Sequence, residues 1–249
     1  MPSENSLSIH HDYHDSTLSA IITTNIINAT TTNNKMSIRF IFFDLGNVLF
    51  QFDIELMLNR GAKFLGCPLA ELKQLIYNDG WNKKLETGKT TELEFFKMVC
   101  NKFNLNAKYA EFNDIFNNIF SEITESRPIL EYFSSIEFPR GILSNTSSGH
   151  WNQIIFRYDY LIKLIPNNHI LSFEVGEMKP NQKIFETAMN KAKNSFNEKE
   201  KPLQPNEVLF IDDLFQNIEA AANFGFDSIQ FKNWQQIKTE LKNRNLKIK

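Results

Sequence analysis

Ser37-Ile38-Arg39-Phe40-Ile41-Phe42-Phe43-Asp44-Leu45-Gly46-Asn47-Val48-Leu49 is the stretch whose reading decides the fold. Apart from Ser37 and Arg39, every residue before Asp44 is apolar, and the run stops at one carboxylate followed by Leu-Gly-Asn. A strand buried on both faces reads as such a continuous run, and Gly-Asn closes it with a turn. The turn leaves Asp44 at the carboxyl edge of a sheet, where open α/β sheets hold their ligands.

Working outward, Gly141-Ile142-Leu143 stops at Ser144-Asn145-Thr146, and Ser147-Ser148-Gly149-His150-Trp151 opens a helix with a serine as its cap. Ile170 to Val175 reads as a third strand, with Lys179-Pro180 after it. Pro180 suits the first position of a helix carrying Ile184, Phe185, Ala188, Met189 and Ala192. Val208 to Ile211 is a fourth strand, closed by Asp212-Asp213, and Ser228 to Phe231 a fifth. Strands alternating with helices imply an α/β fold, a Rossmann-like parallel sheet in three layers. Between the first strand and Arg127 the rhythm is helical instead. Stretches at 54–64, 69–78, 92–103 and 109–123 carry Phe95, Phe96, Val99 and Phe103, then Phe112, Phe116 and Phe120, at helix spacing. The expected division is a core of residues 36–51 plus 134–249 and an all-helical insertion at 52–133.

Residues 1–35 are rich in Ser, Thr, Asn and His without periodicity and read as a poorly ordered tail. Its apolar segment is too short to span a bilayer, and it lacks the positive start of a secretory signal. Met36, directly before the first strand, reads as an alternative start. Across all 249 residues the formal net charge is −2, so no general electrostatic attraction for nucleic acid is expected. The two cysteines, Cys67 and Cys100, stand outside any metal-binding spacing and read as packed thiols of a cytoplasmic protein.

Four strand ends therefore bring polar groups to one rim: Asp44, Ser144-Asn145, Lys179 and Asp212-Asp213. The set suits phosphoryl transfer. Asp44 and Asp213 are hard oxygen ligands for Mg²⁺. The Ser144 hydroxyl and the backbone N–H groups of the next turn are placed for phosphate oxygens. Lys179 is a point charge against phosphate and acids, and Asp44 is a candidate nucleophile.

Over about residues 38–231 the chain resembles the haloacid dehalogenase-like (HAD) hydrolases. Phe42 to Leu49 looks like their motif I, Leu143-Ser144-Asn145-Thr146 motif II, Gly176-Glu177-Met178-Lys179-Pro180 motif III, and Phe210 to Asn217 motif IV. The insertion is similar to the C1-type cap of that family. The resemblance implies a phosphoric monoester hydrolase with Asp44 as nucleophile and Ser144, Asn145 and Lys179 on the phosphate. It also implies Mg²⁺ on Asp44, the Gly46 carbonyl and Asp213, with Asp212 bound directly or through water. Asn217 is expected to steady the loop. One position departs: phosphatases of this family carry a second aspartate, the acid–base group, where this chain has Gly46. The Asp-Leu-Gly-Asn-Val form is similar to α-glucose-1-phosphate phosphatases, so a small phosphorylated metabolite, in the first instance a sugar phosphate, is the expected substrate. A non-catalytic HAD domain that binds a phosphorylated ligand or a protein partner is the alternative, and haloacid dehalogenation the third reading.

Overall fold

The computed structural model describes residues 37–197 and 201–246. The reading of the tail at 1–35 falls outside the described residues. The sheet has five parallel strands, β1 (Phe40–Phe43), β4 (Arg140–Ser144), β5 (His169–Leu171), β6 (Val208–Asp212) and β7 (Asp227–Gln230), in the order β5-β4-β1-β6-β7. The chain moves outward from β1 to β4 and β5, then returns to the other side of β1. The direction thus reverses between β1 and β6, and a crevice opens there at the carboxyl ends of the strands. Register pairs Phe43 with Ile211, so Asp44 and Asp212 leave the sheet side by side.

The period of two along β1 sorts its side chains to two cores. Phe40 and Phe42 point into one, with Phe185 and Ala188 of α10 (Gln182–Lys193) and Ala221 of α11 (Phe215–Phe224). Ile41 and Phe43 point into the other. There they join Phe133 of α6 (Ser126–Ser135), Ile154 of α7 (Ser148–Arg157), Leu161 of α8 (Tyr160–Leu164) and Trp234 of α12 (Trp234–Asn243). Every one of these β1 side chains is fully buried, which is why a run with no polar alternation makes a stable central strand.

The helical insertion comprises α1 (Ile54–Leu65), α2 (Leu69–Lys73), which runs on into a π-helical turn at Gln74–Asn78, α3 (Trp81–Glu86), α4 (Glu92–Phe103) and α5 (Tyr109–Asn117). Asp53 caps α1 by accepting from the Leu56 amide at 2.7 Å, and Thr91 with Glu94 forms a capping box on α4. Phe112 stacks on Phe116 at 4.3 Å between ring centres, and Phe95 meets Phe116 edge-on at 5.9 Å. These phenylalanines belong to the same continuous cluster as Ile41 and Phe43, so insertion and sheet share a core.

Three local expectations give way to non-local pairing. Helical patterning up to Ile123 predicts one long helix, but α5 ends at Asn117 and β3 (Phe120–Glu122) pairs antiparallel with β2 (Phe50–Phe52). A short ribbon thus stands at the base of the helices, with Phe120 against Phe52 at 6.1 Å. The strand expected through Val175 stops at Leu171, the last residue paired with β4, and Ser172–Val175 makes a helical turn, α9. Ser172 holds that bend by bonding both the amide and the carbonyl of Thr146. Pro180 lies before the helix rather than on its first position, because Asn181 is the cap of α10. Among the described residues no helix is long and apolar enough to cross a membrane.

Candidate active site

Asp44 follows β1 with its amide bonded to the Ile211 carbonyl at 2.9 Å, and its Oδ1 accepts from the Leu45 amide at 2.7 Å. The backbone beyond it turns sharply. Asn47 adopts a left-handed φ of 55°, which asparagine tolerates better than most residues. Its Nδ2 donates to Asp213 Oδ2 at 2.9 Å. Trp234 holds the turn from behind through Nε1 to the Val48 carbonyl.

Lys179 is the hub. Its Nζ lies 2.9 Å from Asp44 Oδ1, 2.6 Å from Asp212 Oδ2 and 2.9 Å from the Leu143 carbonyl. Those three partners use all three N–H donors of the ammonium. Its side chain is 1% exposed, so this cation is stable in the interior only because two carboxylates surround it. Burial, opposed by Lys179, pushes Asp44 above the usual carboxylate range, and Asp212 pushes the same way. The two carboxylates in turn hold the Lys179 ammonium above its ordinary value despite its burial.

Asp212, fully buried, also accepts from the Leu214 amide and from Asn217 Nδ2, the latter 3.0 Å from both carboxylate oxygens. Asn217 thus steadies the loop, as its spacing suggests. Asp44, Asp212 and Asp213 present carboxylate oxygens within 4.8 Å of one another. Asn145 lies at the same rim and is bound to the lysine segment. Its Oδ1 accepts from the Lys179 amide at 2.8 Å and its Nδ2 donates to the Lys179 carbonyl at 2.9 Å, so the side chain clamps the backbone that carries the lysine. Ser144 ends β4, buried, its hydroxyl making only a long contact of 3.4 Å with the Asn145 carbonyl.

Gly46, Ser144, Asn145 and Thr146 form the floor of a cavity of about 160 Å³, and the insertion forms its roof. The roof is mostly apolar, with Phe52, Ile54, Met57, Ile76, Leu85 and Phe116 among its walls. Its titratable groups are Tyr77, Glu86, Glu92 and His150. His150 stacks edge-on to Phe120 and bonds the Phe116 carbonyl, so it packs against the insertion while reaching the cavity. Glu92 takes the Gly149 amide at 2.6 Å and the Ser148 hydroxyl at 2.5 Å, joining α4 to the start of α7. Tyr77 and Glu92 lie in stretches read only as bundle helices, and Glu86 ends the helix Trp81–Glu86, which lies between the helical stretches that the sequence predicts. No motif marks them, because their distance to the strand ends exists only in the folded chain.

No family model matches the chain. Solved structures do. A HAD family enzyme from Bacteroides thetaiotaomicron, in complex with magnesium and inorganic phosphate, superposes with a TM-score of 0.69 at 22% identity, over 80% of this chain and 98% of that one. A HAD-like family hydrolase from Porphyromonas gingivalis gives 0.67 at 25% identity, over 83% and 98%. A HAD phosphatase from Thermococcus onnurineus gives 0.53 at 15% identity, over 78% and 86%. The chain has the fold of the HAD hydrolases, an α/β sheet with a helical cap.

Proposed function

We propose that the protein is a Mg²⁺-dependent phosphomonoester hydrolase of the HAD family that acts on a small phosphorylated metabolite through an aspartyl-phosphate on Asp44. The observation that carries this reading is the cluster of buried Asp44, Lys179 and Asp212 with half-buried Asp213 at the point where strand order reverses. The residues fit a magnesium ion: three carboxylates converge, all of them hard oxygen donors, and Asp213 is only half-buried. Asp44, Asp213 and the Gly46 carbonyl would hold the ion, with Asp212 at or behind it. A magnesium ion held there would neutralise charge on the phosphate oxygens. Lys179 orients the Asp44 carboxylate and balances the charge of the acids. The Ser144 hydroxyl donates to a phosphate oxygen. Asn145 acts through Lys179, whose backbone it holds. Residues 52–133 serve as the cap over the core of residues 36–51 and 134–249, and the apolar roof excludes water from the reacting centre.

The cavity beneath the cap has a largely apolar lining that also presents Asn82, Glu86, Glu92 and Asn117, which suits a compact organic phosphate with a few polar groups. The test is Mg²⁺-dependent release of phosphate from p-nitrophenyl phosphate, glucose 1-phosphate and a panel of small alkyl and acyl phosphates. Wild-type turnover that disappears in Asp44→Asn is the expected result. Silence of wild type across the panel sinks the reading in favour of a non-catalytic binding domain. Metal-free halide release from 2-chloroacids would make the protein a dehalogenase instead.

A further inference from the structure

Phosphoester hydrolysis through Asp44 needs a proton for the departing oxygen and, afterwards, a base for the attacking water. Position 46 cannot supply either. It holds glycine, and a Cβ built there would lie 2.9 Å from Cε1 of the Phe52 ring. The volume that an acidic side chain would occupy is filled by an aromatic one, itself backed by Phe120. Asn47 is no substitute, since its amide is bonded to Asp213 and does not ionise.

Of the four titratable side chains in the cavity wall, two are otherwise engaged and a third is held protonated. Glu92 gives both oxygens to the start of α7. Burial lowers the proton affinity of His150, and its Nε2 faces a carbonyl, so the single proton of the neutral ring is already given to the Phe116 oxygen. Tyr77 is held above its ordinary value by burial and by Glu86, so its phenol keeps its proton at neutral pH. Glu86 differs from all of them: half-buried in the roof of the cavity whose floor holds Gly46 and Ser144, its carboxyl makes no hydrogen bond or ion pair with any described residue. Its place is set by the turn that ends α3. Thr87 Oγ1 bonds back to the Lys83 carbonyl at 2.7 Å. Gly88, at φ 64°, passes so close to the Phe173 carbonyl that any Cβ would collide with it, which docks the turn onto α9.

We propose that Glu86, supplied by the cap, is the acid–base catalytic residue of this site, in place of the aspartate that position 46 lacks. The proposal rests on the phosphatase reading. Burial pushes the Glu86 carboxyl up to about 7, against the pull of the Lys179 ammonium, so both protonation states are populated at neutral pH. The charged and titratable groups facing it are Lys179 from the core, Tyr77 from the preceding helical turn, and Glu92 and His150 in the same wall. In the first step the bond from Asp44 to phosphorus forms, the bond from phosphorus to the ester oxygen breaks, and that oxygen takes the Glu86 proton and leaves as an alcohol. In the second, water attacks phosphorus, the acyl-phosphate bond breaks to restore the Asp44 carboxylate, and the water proton returns to Glu86. Charge and protons balance over the cycle, and no other reactant is required.

The experiment uses the whole chain with Mg²⁺ and p-nitrophenyl phosphate, whose leaving group departs without an acid. Glu86→Gln is expected to give a burst of about one p-nitrophenol per site, then steady turnover slower by about 10²- to 10⁴-fold. Wild-type kcat is expected to rise with pH through about 7 as the Glu86 carboxylate forms, and that limb should vanish in Glu86→Gln. Glu86→Asp should keep the limb at a reduced rate, and added formate should restore part of the turnover of Glu86→Ala. A Glu86→Gln protein with wild-type turnover and an unchanged pH limb overturns the proposal. So does a variant that loses burst and steady state equally, which would mark a structural role. Both results leave the phosphatase reading intact. Absence of turnover in wild type removes that reading, and the role of Glu86 with it.

Discussion

Replacing Lys179 by methionine keeps most of the side-chain stem and removes the charge. Two carboxylates, of Asp44 and Asp212, would then face each other without the cation that now sits 2.9 Å and 2.6 Å from them. Removing one partner of a buried ion pair costs about 3–5 kcal/mol, and the orphaned Leu143 carbonyl adds about 1 kcal/mol. Burial already raises the proton affinity of Asp44, so uptake of one proton by the acid pair offsets part of this, bringing the net back to about 3–5 kcal/mol. For a domain of this size each kcal/mol moves Tm by about 2–4 °C, so Lys179→Met should melt about 6–20 °C below wild type. The assay is a thermal melt followed by circular dichroism, with and without Mg²⁺. An ion that binds the native acids alone returns about 2.7 kcal/mol at a hundredfold excess over its Kd, so Mg²⁺ should recover a substantial part of the loss. A metal-free Tm within about 2 °C of wild type would refute the reasoning, because it would mean that the acid cluster is not held together by this lysine.

Two further outcomes follow from the same geometry. Glu86 has a folded-state value above its ordinary 4.5, so the stability it allows is present in full below about 4.5 and is lost as pH rises through about 7. Glu86→Gln should therefore unfold like wild type at pH 4 and be more stable by about 1–2 kcal/mol at pH 8.5, after allowing for solvent screening, in urea titrations at both pH values; equal stability at pH 8.5 would contradict it. Gly46→Asp must displace the Phe52 ring and should cost about 1–3 kcal/mol, a loss that Phe52→Ala in the same chain largely relieves. With the ring gone, Gly46→Asp should also return turnover to a chain carrying Glu86→Gln, and failure to do so while the triple variant folds would argue that position 46 cannot reach the reacting oxygen.

Much of the scaffold was legible in the residues because the signals are local. The unbroken apolar run before Asp44, the serine cap after β4 and the helix of Ile184, Phe185, Ala188 and Met189 each depend on neighbours within a few positions, and each is found where it is expected. The errors cluster where pairing is distant. Phe120 fits a helical period as well as a strand, and only its partner Phe52, far back in the chain, draws it into a ribbon. Val175 fits a strand, but β4 has already ended, and Ser172 turns the chain by bonding Thr146.

The candidate site divides in the same way. Acids at the ends of β1 and β6 are visible in sequence because a strand that ends in a carboxylate is a local pattern, and adjacent parallel strands deliver such ends to one rim. The use made of each group was not visible. Asn145 is spent on the Lys179 backbone, and Lys179 divides its three donors among two acids and a carbonyl, arrangements that arise only when β4, the segment after α9 and β6 close together. Gly46 in the sequence is simply the absence of an acid. In three dimensions it is a place filled by Phe52, and Glu86, far along the chain and unmarked by any motif, is the unpaired carboxyl in the cavity above it. The physical reason is that side-chain type and backbone period are properties of the chain, whereas burial, unmet hydrogen bonds and the spacing of charges come into being only when distant segments exclude water from one another.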